Sequence, residues 1–270
     1  MDALRILLES GADADTIFNT MSGIRSGNLE IMDHMVTLAT RINYGCPEQS
    51  KLSLINLAIL KGDVGTLQIL LITGAQLNTS NLEIGTPLHV ACTGEWLYGN
   101  AYWQHCRNAN RKKIVQILLK SGADPNMKIY SDEEQIRPAL AEYLATNTEP
   151  SAEIVTTLLR YGARVIMKTQ CRDPDGILNY LKNVTSEEYQ HIFYLLLEAA
   201  EAFDLCMIKK NDVVTATQKE ALVHRAKTPI SLLAQSRIFL RRYFKTSLVD
   251  VVHHIELPET LQQYLLFSSR

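Results

Sequence analysis

Apolar positions in the first two thirds of the chain fall at helical spacing, and one short phrase closes each run. Two leucines, two variable residues and Gly-Ala occur at Leu7-Leu8 with Gly11-Ala12, and at Leu70-Leu71 with Gly74-Ala75. The phrase returns at Leu118-Leu119 with Gly122-Ala123 and at Leu158-Leu159 with Gly162-Ala163. Leu67, Leu70 and Leu71 stand at i, i+3 and i+4, which predicts one apolar stripe on a helix. Ile114, Val115, Leu118 and Leu119 repeat the pattern. The Gly after each run suits a left-handed C-cap, where a residue without Cβ is needed. Asp124-Pro125-Asn126 then predicts a turn, because Asp and Asn bond their own backbone and Pro fixes φ.

A weaker copy fills the gap between the first two. Gly27-Asn28 precedes Met35-Val36 by the interval that separates Gly62-Asp63 from Leu70-Leu71. Successive steps of about 35, 48 and 40 residues fit a unit near 33 residues with insertions. Each unit reads as a helix pair and a turn that cannot bury its own apolar face, so stacked neighbours must form the core. Units are expected at about 1–15, 16–47, 48–80, 81–126, 127–166 and 170–206. The first holds only a second helix and turn, so the N-terminus is expected to be incomplete.

Thr86-Pro87-Leu88-His89-Val90-Ala91 closely resembles the opening phrase of ankyrin repeats. In that family the Thr and His belong to a hydrogen-bonded turn. Ser53-Leu54-Ile55-Asn56-Leu57-Ala58 is a looser copy, and Arg137-Pro138-Ala139-Leu140 is looser still. The resemblance implies an all-α ankyrin-repeat solenoid over residues 1–206.

Beyond about Asp212 the phrase is gone. Residues 207–227 read as a linker or connecting helix. Pro229 then suits the first turn of a helix. Leu232, Leu233, Ser236, Phe239 and Leu240 share one face of it, with Arg241 and Arg242 placed to meet its C-terminus. Pro229, Ser231, Leu232, Ser236, Arg237 and Leu240 occupy the places that define the first helix of a SOCS box. Ile255-Glu256-Leu257-Pro258 stands where that family has its second element, with Glu256 in place of a Pro. Leu261, Tyr264, Leu265, Leu266 and Phe267 follow. Residues 228–270 thus resemble a small three-helix SOCS box. Repeats followed by this box resemble the ankyrin repeat and SOCS box family.

That resemblance implies a substrate-recognition adaptor of a cullin-RING ubiquitin ligase, itself without catalytic activity. Pro229, Leu232, Ser236 and Leu240 would bind the elongin B–elongin C pair. Ile255, Leu257 and Pro258 would face a cullin, cullin-5 with its RING protein. The target protein would meet the repeats. The unit beginning at Thr86 carries an insertion at about 94–110, where Trp96, Tyr98, Tyr102 and Trp103 supply residue types that dominate interface hot spots. The alternative is a binding scaffold without ligase function, in which the C-terminal helices seal the last repeat and Leu232 packs near Leu195–Leu197.

Bulk composition narrows the remaining classes. With 27 basic and 29 acidic side chains, the chain shows no global pull toward nucleic acid or anionic membrane. No apolar run has the length of a membrane span. The five scattered cysteines read as reduced thiols of a cytoplasmic or nuclear protein. His89, Cys92, His105 and Cys106 lack the paired spacing of a structural zinc site, and no phosphate-binding Gly loop or nucleophile elbow occurs. Neither metal nor cofactor is expected.

Overall fold

The computed structural model describes residues 54–72, 75–78, 85–93, 104–130, 135–169, 171, 173, 175–245, 248–255 and 257–267. The chain forms two compact units, Met1–Ser121 and Gly122–Arg270. Among the described residues of the first are α1 (Leu54–Lys61), α2 (Val64–Ile72), α3 (Pro87–Thr93) and α4 (Gln104–Lys120). Helix α1 packs on α2, α3 and α4, and α3 packs on α4. Leu67, Leu70, Ile114, Val115, Leu118 and Leu119 are all buried, as the sequence periodicity requires. Helix α4 reaches back to Gln104, so its first residues lie in the stretch read as an insertion.

The Gly62-Asp63 pair has a local cause. Asp63 precedes α2 and accepts from the Thr66 backbone N–H at 3.0 Å and from its hydroxyl at 2.7 Å. A side-chain acceptor at this place satisfies a donor that the first helical turn cannot. The Thr86–His89 turn is equally specific. The Thr86 N–H donates to His89 Nδ1 at 3.1 Å, and the Thr86 hydroxyl lies 2.8 Å from the same nitrogen. Both residues are buried, and a ring nitrogen that accepts leaves the proton of a neutral imidazole on Nε2.

The second unit contains β1 (Ile129–Tyr130), β2 (Gln135–Ile136), α5 (Ala139–Thr146), α6 (Ala152–Arg160) and β3 (Ile166–Met167). A 3₁₀ helix at Leu178–Val184 takes the place of a regular helix. Then come α7 (Gln190–Ala199), β4 (Ala202–Phe203), α8 (Leu205–Lys210) and α9 (Ala216–Lys227). Strands β1 and β2 form an antiparallel finger, pairing Ile129 with Ile136. Strands β3 and β4 pair in parallel, Ile166 with Ala202. The loose repeat copy at Arg137 solves the Thr86 problem differently. The Arg137 N–H donates to buried Glu142 Oε1 at 3.0 Å, and its guanidinium Nε donates to the same oxygen at 2.6 Å. A carboxylate replaces the imidazole as the acceptor for the residue before proline.

Asn126 joins two consecutive turns. Its amide nitrogen donates to the Gly162 carbonyl at 2.9 Å, and its amide oxygen accepts from the Arg164 N–H at 2.9 Å. Its own N–H donates to Asp124 Oδ1 at 2.8 Å, the expected turn. Gly122 and Gly162 follow their helices at φ +96° and +94°, the left-handed caps that the phrase predicts. A Cβ at Gly122 would meet nothing within 4 Å, whereas one at Gly162 would come 3.3 Å from the Lys245 carbonyl oxygen. Gly122→Ala should therefore cost about 1 kcal/mol in backbone strain alone. Gly162→Ala should cost more, by roughly a further 0.5–1 kcal/mol. Urea unfolding midpoints of the two variants measure that order.

Candidate partner-binding surface

Helix α9 is the connecting helix that the sequence leaves as one of two options. Thr215 caps it in a reciprocal capping box with Gln218, and buried Gln218 also donates to the Val184 carbonyl at 2.9 Å. Thr228 ends the helix, and Pro229, lacking an N–H, cannot prolong it.

The next helix is α10 (Leu232–Phe244). Its start corrects the sequence expectation for Pro229, which is not in the first turn. Ser231 is the N-cap, its hydroxyl accepting from the Ala234 N–H at 3.2 Å. The following helices are α11 (Leu248–His254) and α12 (Glu259–Leu265). Leu248, Val252, Leu265 and Leu266 form their buried cluster, with Leu240, Phe244, Val249 and Leu257 half-buried against it.

Helix α10 is inverted relative to an ordinary amphipathic helix. Its dry face carries Arg237 and Arg241, only 3% and 4% exposed. The expectation that Arg241 meets the end of its own helix is corrected. Arg241 Nη2 instead donates to the Ala163 carbonyl at 2.8 Å, and the guanidinium lies 4.7 Å from the Phe267 ring centre. Arg242 also turns away, donating from Nη2 to Glu201 at 2.8 Å. Arg237 donates from Nη1 to Glu198 Oε1 at 2.7 Å and from Nη2 to the Glu198 carbonyl at 2.9 Å. It lies over the Tyr264 and Phe267 rings, 4.1 and 4.3 Å from their centres. Guanidinium planes suit such stacking, because they are weakly hydrated and face the negative side of the ring. Burial lowers the Arg241 pKa to about 10, Glu201 opposing the shift and Arg237 adding to it. Arg241 therefore remains charged at neutral pH.

With the arginines turned inward, the opposite face of α10 is open. Leu232, Phe239 and Tyr243 are 79%, 65% and 71% exposed, and Ser236 between them is exposed as well. These residues stand at i, i+4, i+7 and i+11, one line along the helix. Phe239 and Tyr243 stack with ring centres 6.1 Å apart. Leu233 is half exposed at 53% on the flank. Leu240 leaves the line and packs inward on the α11–α12 cluster. Tyr243 extends the stripe beyond the residues singled out in the sequence. Ile255 is 46% exposed, Pro258 is exposed as the N-cap of α12, and Leu257 is half-buried. The aromatic candidates Trp96, Tyr98, Tyr102 and Trp103 lie outside the described residues.

The ankyrin repeat family model matches residues 85–129, from the Thr86–His89 turn through α4 to β1. The fold of the described residues is mostly helical, with an ankyrin repeat at residues 85–129 and a helical segment beyond the repeats. Over 210 residues it is 25% identical to ankyrin repeat and SOCS box protein 5 of Mus musculus, a match covering 78% of this chain and 47% of that protein. The chain thus spans about half the length of the curated relative it matches. Both matches support the resemblance to the ankyrin repeat and SOCS box family. No helix among the described residues is long and apolar enough to cross a membrane.

The two faces of α10 should respond differently to a charge. Leu232→Asp should leave stability within about 0.5 kcal/mol of wild type, since the site is exposed and an acid in the first turn suits the helix dipole. Val252→Asp, at 1% exposure, should cost about 3 kcal/mol or more by burying an unpaired carboxylate. Thermal unfolding of the purified variants reads both.

Proposed function

We propose that this chain is a non-catalytic, substrate-recognition subunit of a cullin-RING ubiquitin ligase. The observation that carries the reading is the open stripe of α10. Its leading leucine is 79% exposed on a helix otherwise fixed to the molecule. An apolar helix face of this kind fits a hydrophobic groove on a partner, with anchors one turn apart. In this reading Pro229, Leu232, Ser236 and Leu240 form the elongin-binding segment. Leu232 enters the pocket, Ser236 permits close approach, and Phe239 and Tyr243 widen the contact. Leu240, packed against α11 and α12, holds the helix rather than leading the contact. Ile255, Leu257 and Pro258 face cullin-5, and the RING protein arrives with it.

The chain supplies proximity rather than chemistry. A target held beside an activated ubiquitin meets it at a high effective concentration. Target choice is assigned to the ankyrin repeats, with Trp96, Tyr98, Tyr102 and Trp103 as the anchoring aromatics. The scaffold reading places Leu232 against this chain's own repeats, and its exposure weighs against that.

Co-expression with elongin B and elongin C, followed by affinity purification of this chain, tests the proposal. Wild type should retain both elongins in stoichiometric amount. Leu232→Ala should weaken retention about 10- to 100-fold, the value of one leucine buried in a pocket, and Leu232→Asp should abolish it. Wild-type protein that is soluble alone and retains no elongin would overturn the ligase reading and leave the scaffold.

A further inference from the structure

The dry side of α10 borders a cavity of about 370 Å³ that the elongin stripe does not touch. Its walls come from the turn at Asp124 and Asn126, the cap at Gly162, Arg164, and the end of α10. Four cations line it: Arg164, Arg241, Arg242 and Lys245. Two lining carboxylates, Asp124 and Glu201, oppose them, which leaves a formal excess of two positive charges.

Those carboxylates are already engaged. Glu201, with its side chain 3% exposed, accepts from Arg164 Nε at 3.2 Å and from Arg242 Nε and Nη2 at 3.1 and 2.8 Å, all on Oε2. Asp124 accepts from the Asn126 N–H. Arg241 is 96% buried at the cavity wall, and its Nη1 has no hydrogen-bond partner. A guanidinium desolvated to that degree raises the local potential, because the low-dielectric surroundings screen its charge poorly. At Gly162 the wall closes on the end of α10, since a Cβ there would come 3.3 Å from the Lys245 carbonyl oxygen. Lys245 itself has φ +50° and ψ −126°, a bend of the backbone that ends α10 at the cavity mouth.

We infer that this cavity binds a phosphate dianion, either free or as a small phosphate monoester. The charge excess matches a dianion, and the volume falls in the range of small-ligand sites. Arg242, held on Glu201 through Nε and Nη2, presents its charge at the rim, and exposed Lys245 can swing onto the oxygens. Arg241 beneath supplies a fixed charge. Guanidinium groups bind phosphate with two parallel hydrogen bonds, which gives geometry as well as attraction. The inference is independent of the ligase reading, because it concerns a different face of the molecule.

The test is calorimetric titration of the full chain, with any partner that co-purifies, against inorganic phosphate and against O-phosphoserine. Potassium chloride at matched ionic strength is the control. One site per chain is expected, with affinity reduced 10-fold or more in Arg242→Gln and in Lys245→Asn. Lys245 is already a non-Gly residue at this backbone and its side chain is exposed, so Asn there adds no new strain and that variant keeps the fold if Arg242→Gln does not. Equal affinity for the two phosphates assigns free phosphate, and tighter O-phosphoserine assigns a phosphorylated side chain. Heat no larger than that of chloride, or affinity unchanged in both variants, would overturn the inference.

Discussion

The orientation of α10 rests on two arginines that share one aromatic ring. Arg237 and Arg241, one helical turn apart, both lie over Phe267. Each also reaches a backbone carbonyl elsewhere in the unit, at Glu198 and Ala163. Four directional contacts therefore fix the rotation of a single helix about its axis. An aliphatic face would pack with similar burial but would tolerate rotation, since dispersion contacts are non-directional. The rest of the C-terminal segment follows from this restraint. The aromatic end of α12 must arrive where the guanidinium planes can cover it, and Leu240 is thereby turned toward Leu248 and Val252.

The repeats supply what the arginines hold. Ala163 follows the Gly162 cap, and its carbonyl is free to accept because the helix has ended. Glu198 and Glu201 flank the end of α7, where the expected Gly-Ala phrase is absent. Replacement of that phrase puts one carboxylate and one carbonyl against Arg237, and a second carboxylate against Arg164 and Arg242. The atypical final unit is thus the acceptor for the C-terminal helices. This is a physical reason for its departure from the pattern, beyond the usual need of a repeat array for a distinct end.

Much of this was legible in the residues. The Leu-Leu-x-x-Gly-Ala phrase located helix ends because a positive φ needs Gly, and the period located the buried leucines because stacking buries one stripe. The Thr86–His89 turn was legible through the resemblance of its phrase to ankyrin repeats. The inward turn of Arg241 was not. A helix of this composition reads as apolar side in and charged side out, and the contrary arrangement depends on Phe267 and Ala163, both distant in sequence. Ser231 as N-cap was available three residues before Ala234, but Pro229 drew the boundary earlier. The cavity beside Glu201 joins turns some 40 residues apart with a helix end, so no local pattern announced it.

The opposed faces of α10 make the helix a fixed-phase element. Residues 237 and 241 set its phase from inside, while 232, 236, 239 and 243 carry that phase outward. One residue inserted between Ser236 and Arg237 would turn Leu232 and Ser236 by about 100° against Arg237, Phe239, Arg241 and Tyr243. With the guanidiniums kept on Phe267, Leu232 and Ser236 leave the line of Phe239 and Tyr243, and no rotation of the helix restores both. Length changes in this segment are therefore excluded by angle alone, even where every inserted side chain is soluble and helix-forming. The residues between Thr228 and Ser231 carry no such phase, so variation in chain length belongs there.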